Sequence, residues 1–117
     1  MQHDPRAWLW DVRRAADLVA EFVQGRSFDD YLADRLVRSA VERQLEIVGE
    51  ALSRLAKEAP ALAERIPDLR PAIAMGNVLI HAYRDVDNEA VWRTVQHNLP
   101  ALRGGVAALL AELGEEP

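Results

Sequence analysis

Val41-Glu42-Arg43-Gln44-Leu45-Glu46-Ile47-Val48-Gly49-Glu50-Ala51-Leu52-Ser53-Arg54-Leu55 is the stretch that decides the fold. Within it Val41, Leu45, Val48, Leu52 and Leu55 step by 4, 3, 4 and 3, which holds all five on one face of an α-helix. Leu36, Val37, Ala40, Ile47 and Ala51 widen that face on both sides, so the helix must bury against more than one neighbour. The spacing predicts a helix from near Ser27 or Leu32 to about Glu58, closed by Ala59-Pro60 because a residue before proline is pushed out of helical conformation. The expected neighbours are the first helix on one side and either a later helix or a second copy of the chain on the other.

Outward from this segment the chain reads as helix throughout. Apolar residues recur at three- and four-residue steps from about Asp4 to Gln24, after Asp4 as N-cap and Pro5 at the first helical position, and Gly25 ends the run. Ser27 restarts the chain, with Asp30 three residues on as an acidic capping box. Pro67 and Pro71 bracket a short connection. A further helix begins around Leu69 to Pro71 and covers Ala72 to Tyr83, and Arg84-Asp85-Val86-Asp87 interrupts it. Asp87 is placed to cap another helix through about His97. Pro100 restarts the chain for a last helix to near Leu113, weakened by Gly104-Gly105, and Gly114 to Pro117 is a frayed tail. With no repeats or linker, residues 1–117 read as one all-α domain.

Composition narrows the chemistry. The 117 residues contain no cysteine, which removes disulfides, thiolate nucleophiles and cysteine-based metal sites. Fourteen Lys and Arg face nineteen Asp and Glu, a net charge of −5, which disfavours a surface that neutralises nucleic acid everywhere but leaves a local site open. Only Lys57 is lysine, and the other basic residues are arginines suited to carboxylates or phosphates. No apolar run approaches the roughly 18 residues of a membrane span, and residues 1–6 lack a signal-peptide layout, so a soluble, cytoplasmic protein is expected.

The sharpest chemical signal lies at residues 74–84. On an ideal helix Ala74, Asn77, His81 and Arg84 fall within about a quarter of the circumference, so an amide, an imidazole and a guanidinium share one strip. Such a set can move protons and hold a phosphate; it can equally satisfy nearby backbone groups and a helix end. Tyr83 joins the strip only if the helix unwinds there. His3, His81 and His97 have no metal-ligand spacing, and Glu46 and Glu50 beside Arg43 and Arg54 read as ion pairs. No metal or cofactor is expected. Trp10 departs from the apolar stripe of the first helix and marks a possible partner surface.

Taken in order, Gly25-Arg26-Ser27-Phe28, Ala40 through Ala51, Asn77-Val78-Leu79-Ile80-His81-Ala82-Tyr83, Val86-Asp87, Val91-Trp92 and Asn98-Leu99-Pro100 resemble the HepT family of HEPN-domain proteins, from about Asp11 to Leu113. The resemblance implies a four- or five-helix up-and-down HEPN bundle that forms a homodimer. It further implies a toxin whose partner is MntA, a minimal nucleotidyltransferase antitoxin, and whose activity is metal-independent cleavage of RNA. By position the family's motif histidine is His81 and its tyrosine is Tyr83, which is also where the antitoxin attaches AMP. Asn77 adjoins the motif. The family's arginine stands directly before this asparagine, and here Gly76 occupies that position. Arg84 is the cation left on the strip to substitute for it. Two readings follow: a toxin ribonuclease, or a catalytically impaired helical dimer that serves as binding partner and substrate of the nucleotidyltransferase. At the sequence level Gly76 is a loss of about 1 kcal/mol of helix stability with no visible benefit.

Overall fold

The computed structural model describes residues 4–81 and 84–114. Helix α1 (Pro5–Val23) starts where the Asp4 carboxylate accepts from the Arg6 N–H and Pro5 takes the first turn. It ends before Gly25, whose φ of +74° is the left-handed turn that glycine adopts without strain. Ser27 then caps α2 (Phe28–Ala33): its Oγ accepts from the Asp30 N–H at 3.1 Å, and the Asp30 carboxylate accepts from the Ser27 N–H at 3.0 Å. The Ser27 backbone N–H, and after it the Ser27 hydroxyl, hold the Asp30 carboxyl below the usual carboxylate range.

The long helix does not run on from α2. Asp34, with extended dihedrals, ends α2 and begins α3 (Arg35–Glu58), its side chain accepting from the Val37 N–H. An aspartate three residues before an N–H it can reach supplies an alternative to the helical bond, which is why a helix-rich stretch breaks there. After Ala59, Pro60 opens a single turn, α4 (Pro60–Ala63). The connection that follows leads into α5 (Leu69–His81), and Asp87 caps α6 (Asn88–Arg93) through the Ala90 N–H.

Past Arg93 the chain does not stop and restart as Pro100 suggested. A π-helical turn, Thr94–Asn98, joins α6 to α7 (Leu99–Leu113) without a break, and the Leu99 N–H reaches back five residues to the Thr94 carbonyl. Pro100 has no N–H, so it cannot donate to the Gln96 carbonyl as the residue four places on in an α-helix would. The widened turn accommodates that missing donor. Nor do the paired glycines interrupt α7: a Cβ on Gly105 would stand 2.4 Å from the Pro67 ring, so this glycine lets the α4–α5 connection lie against α7.

The long helices form an up-and-down bundle. Helix α3 is central: α1 packs along one side of its apolar band and α5 along the other, while α7 covers α1 and the π turn approaches α5. From Val41 to Leu55 the band finds both its neighbours within the chain, whereas Leu36, expected on the same band, is 80% exposed because it lies in the first turn of α3, ahead of the packed stretch. Leu9, Val12, Val19, Val41, Leu52, Leu55, Leu102, Val106 and Leu110 are fully buried between these helices. Trp92 reaches back from α6 to Phe28 and Tyr31, ring centroids 6.1 and 5.2 Å away. No described helix is long and apolar enough to cross a membrane. Of the expected frayed tail, residues 115–117 lie outside the described residues, and Gly114 is held, its carbonyl accepting from Arg6 Nη1 at 2.8 Å.

Candidate functional site

Gly76 fixes where the candidate site sits. It is buried against Gly49 of α3, and a Cβ built on either glycine would lie 2.9 Å from the other's Cα. Two helices meet this closely only where neither carries a side chain at the crossing. The expectation that Gly76 weakens α5 without return is therefore corrected: the missing side chain is what lets α5 seat on α3. An arginine at this position has no space unless the helices separate.

With Gly76, Ala72 and Leu79 turned inward, the opposite face of α5 is turned to solvent. Asn77 and His81 are both exposed there, one helical turn apart. Between them on the outer surface stand Val78 and Ile80, 52% and 44% exposed, an apolar border to the polar pair. His81 is the last residue of α5. Arg84 is exposed in a bend beyond the helix, so helical spacing does not set its place on the strip. Tyr83 lies outside the described residues.

Beside Ile80 a groove of about 440 Å³ opens between α1, α3 and α5, bordered by Trp8 and Ile47. Two ion pairs line its α3 wall: Arg43 with Glu46 at 3.4 Å and Arg54 with Glu50 at 3.0 Å. The reading of these carboxylates as ion-paired thus stands. Among the described residues no three histidine, aspartate or glutamate side chains gather into a metal-binding group. Trp10 is half-buried and packs against the core from the outer side of α1.

The packing that sequence reading missed is the Gly49–Gly76 crossing. Its signal was available: Gly49 interrupts the apolar stripe on the inward face of α3, and a lone glycine in a buried stripe marks a place where another backbone comes close.

The all-α bundle is consistent with a HEPN-type architecture. A family model described as "Ribonuclease HepT-like" matches residues 12–109, and the chain belongs to that family. Among its relatives, the "Probable ribonuclease HepT" of Thermococcus cleftensis is 36% identical over 104 residues, covering 89% of this chain and 94% of the relative. The "Putative RNase TTE0752" of Caldanaerobacter subterraneus subsp. tengcongensis is 32% identical, covering 91% and 94%. The "Putative RNase MJ1380" of Methanocaldococcus jannaschii is 28% identical, covering 87% and 93%. No solved structure matches the chain.

Proposed function

We propose that this protein is the toxin of a HepT/MntA-type toxin–antitoxin pair, a cytoplasmic ribonuclease that works without a metal. The observation that carries the reading is membership of the family over residues 12–109, joined to an Asn77–His81 pair that α5 presents to solvent. His81 takes or gives the proton at the RNA 2′-hydroxyl, Asn77 positions the phosphate, Tyr83 hydrogen-bonds near the reacting groups and Arg84 supplies the cation. Attack of the 2′-oxygen on the adjacent phosphorus expels the 5′-oxygen, which needs a proton donor and charge stabilisation but no metal. Tyr83 is the residue the antitoxin modifies with AMP. A homodimer is part of the reading: Val78 and Ile80 are apolar and exposed beside the site, and sedimentation at micromolar concentration should give twice the chain mass of 13.1 kDa.

The test compares purified wild type with His81→Ala on RNA, each with and without EDTA. Cleavage lost in His81→Ala and indifferent to EDTA is the expected result; equal rates in the two proteins defeat it.

The close seating of Gly76 on Gly49 favours a second reading. Without a guanidinium at that position the site lacks its best phosphate clamp, and the chain is then a dimeric binding partner and AMP acceptor with little nuclease activity of its own. Mass spectrometry after incubation with ATP and the cognate nucleotidyltransferase separates the two. Added AMP units on a protein that cleaves no RNA select the second reading, and their persistence in Tyr83→Phe removes Tyr83 as the acceptor. Gly76→Arg is not a clean restoration of the clamp, because the variant must first move α5.

A further inference from the structure

Six residues, Phe28–Ala33, make up α2, too few to hold a helix in water without outside contacts. The chain changes direction at both ends: Gly25 stands before the Ser27 cap at φ +74°, and Asp34 leaves the helix with extended dihedrals. Of the six residues only Tyr31 is buried. Phe28 is half-buried, and Asp29, Asp30, Leu32 and Ala33 are exposed. The Tyr31 and Phe28 rings both lie against Trp92 of α6, tilted by 39° and 55°. The hold of α2 on the bundle is thus concentrated in one aromatic cluster.

That cluster also encloses polar atoms it does not satisfy. Tyr31 is 0% exposed, and its hydroxyl has no hydrogen-bond partner among the described residues. Burial first, and the Glu42 carboxylate after it, push the titration of this phenol upward, so it stays a neutral O–H. Asn88, one turn before Trp92 on α6, likewise has an enclosed Oδ1 to which no described group donates. Ring packing favours the docked helix, whereas the two unpaired atoms oppose it, since both regain water when the contact parts. The other ties are at the surface. The Arg38 guanidinium donates to the Leu32 carbonyl, and Arg26 meets Asp34 at 3.4 Å in an exposed pair of the kind that contributes little.

A short helix between two breaks, with most of its residues exposed and one aromatic contact to close it, has the features of a unit that opens below the global unfolding threshold. We propose that α2 is a flap that opens as a unit on hinges at Gly25 and Asp34, latched by Tyr31 on Trp92, and that its opening releases the start of α6. Asn88 begins α6 four residues past Arg84, so the latch regulates the far anchor of the segment that carries the candidate cation. That consequence rests on the ribonuclease reading, whereas the flap itself does not.

The experiment is amide-resolved native-state hydrogen exchange on the whole chain, in wild type, Tyr31→Phe and Tyr31→Ala, across a series of low denaturant concentrations. The reporters are the Tyr31 N–H, which donates to the Ser27 carbonyl at 3.0 Å, the Asp34 N–H, which donates to the Tyr31 carbonyl at 3.2 Å, and the Val91 N–H of α6, which donates to the Asp87 carbonyl at 3.1 Å. Val48 and Leu52, buried on α3, report global unfolding. In wild type the three reporters should share protection factors about a hundredfold below those of Val48 and Leu52, with little dependence on denaturant. Tyr31→Phe keeps the ring and removes the enclosed hydroxyl, so it should raise the protection of the three about tenfold. Tyr31→Ala should abolish protection at residue 34 while Val48 and Leu52 stay protected. Exchange of α2 only through global unfolding, unchanged or lower protection in Tyr31→Phe, or a Val91 amide that follows α3 instead of α2 overturns the proposal, whatever becomes of RNA cleavage.

Discussion

Helices α3 and α5 touch backbone to backbone at Gly49 and Gly76, whereas α1 and α7 leave a groove of about 330 Å³ although Ala16 and Ala20 face it. Small residues stand on both sides of the comparison, and only one interface closes. Closure needs a side-chain-free position on each helix at the same crossing, and α3 and α5 provide one each. Across the groove the partners of the alanines are Val95 and Leu99, carried on a chain already widened by a π turn. Helix spacing here is thus set pair by pair, by the volume at the crossing and the regularity of the backbone that bears it.

The largest effect that would break this contrast comes from Gly76→Arg. A long side chain at a contact already at 2.9 Å forces the helices apart, and a loss of about 3 kcal/mol or more is expected in denaturant unfolding, against about 1–3 for ordinary overpacking. Unfolding at the wild-type midpoint would show that α5 is not seated as described. Gly76→Ala is the sharper test. Alanine favours a helix interior over glycine by about 1 kcal/mol, yet its Cβ would meet Gly49 Cα at 2.9 Å and the Leu45 carbonyl at 3.3 Å. The clash is expected to win, with a net loss of about 1–2 kcal/mol.

Gly104 supplies the opposite sign. It is exposed on α7 and a Cβ there meets nothing within 4 Å, so Gly104→Ala should gain up to about 1 kcal/mol, or roughly 4 °C in Tm for a chain of this size. If Gly76→Ala and Gly104→Ala shift stability in the same direction, packing is not what separates the two glycines. The smallest effect is a baseline on α3 away from the crossing. Burial raises the pKa of Glu42, Arg38 opposes the shift and Glu46 adds to it. A carboxyl whose folded pKa is raised destabilises the fold once ionised, a penalty present above the raised value and gone below the unfolded one. Glu42→Gln should therefore be more stable than wild type near pH 7 by a few tenths of a kcal/mol after allowance for solvent screening. The gap should close as the pH falls toward 4; a gap that widens on acidification contradicts the assigned cause.

Much of this architecture is legible in residue order because helix faces and caps are local. The 4, 3, 4, 3 stepping from Val41 to Leu55 exposes the central helix, and the Ser27–Asp30 and Asp87 caps form as their spacing implies. Asp34 was harder to read, since one side chain ends a helix and starts the next, and its neighbours favour helix on both sides. The π turn depends on how α6 and α7 stack, which proline chemistry alone does not decide. For the candidate site, spacing puts Asn77 and His81 on one strip of the helix, and the structure adds that both are exposed. It could not fix Arg84, because the helix that would carry it ends at His81. Nor could it assign Gly76, because the reason for that glycine lies on another helix.

The Arg6 bond to the Gly114 carbonyl carries a separate consequence. It brings the start of α1 beside the end of α7, so a bridge of roughly four to six residues, an ordinary connection length, can join those two points without bending either helix. The bundle is then a closed loop in all but covalent connectivity. A circular permutant opened at an exposed turn, such as the one between α1 and α2, should keep the same helix neighbours in a new chain order.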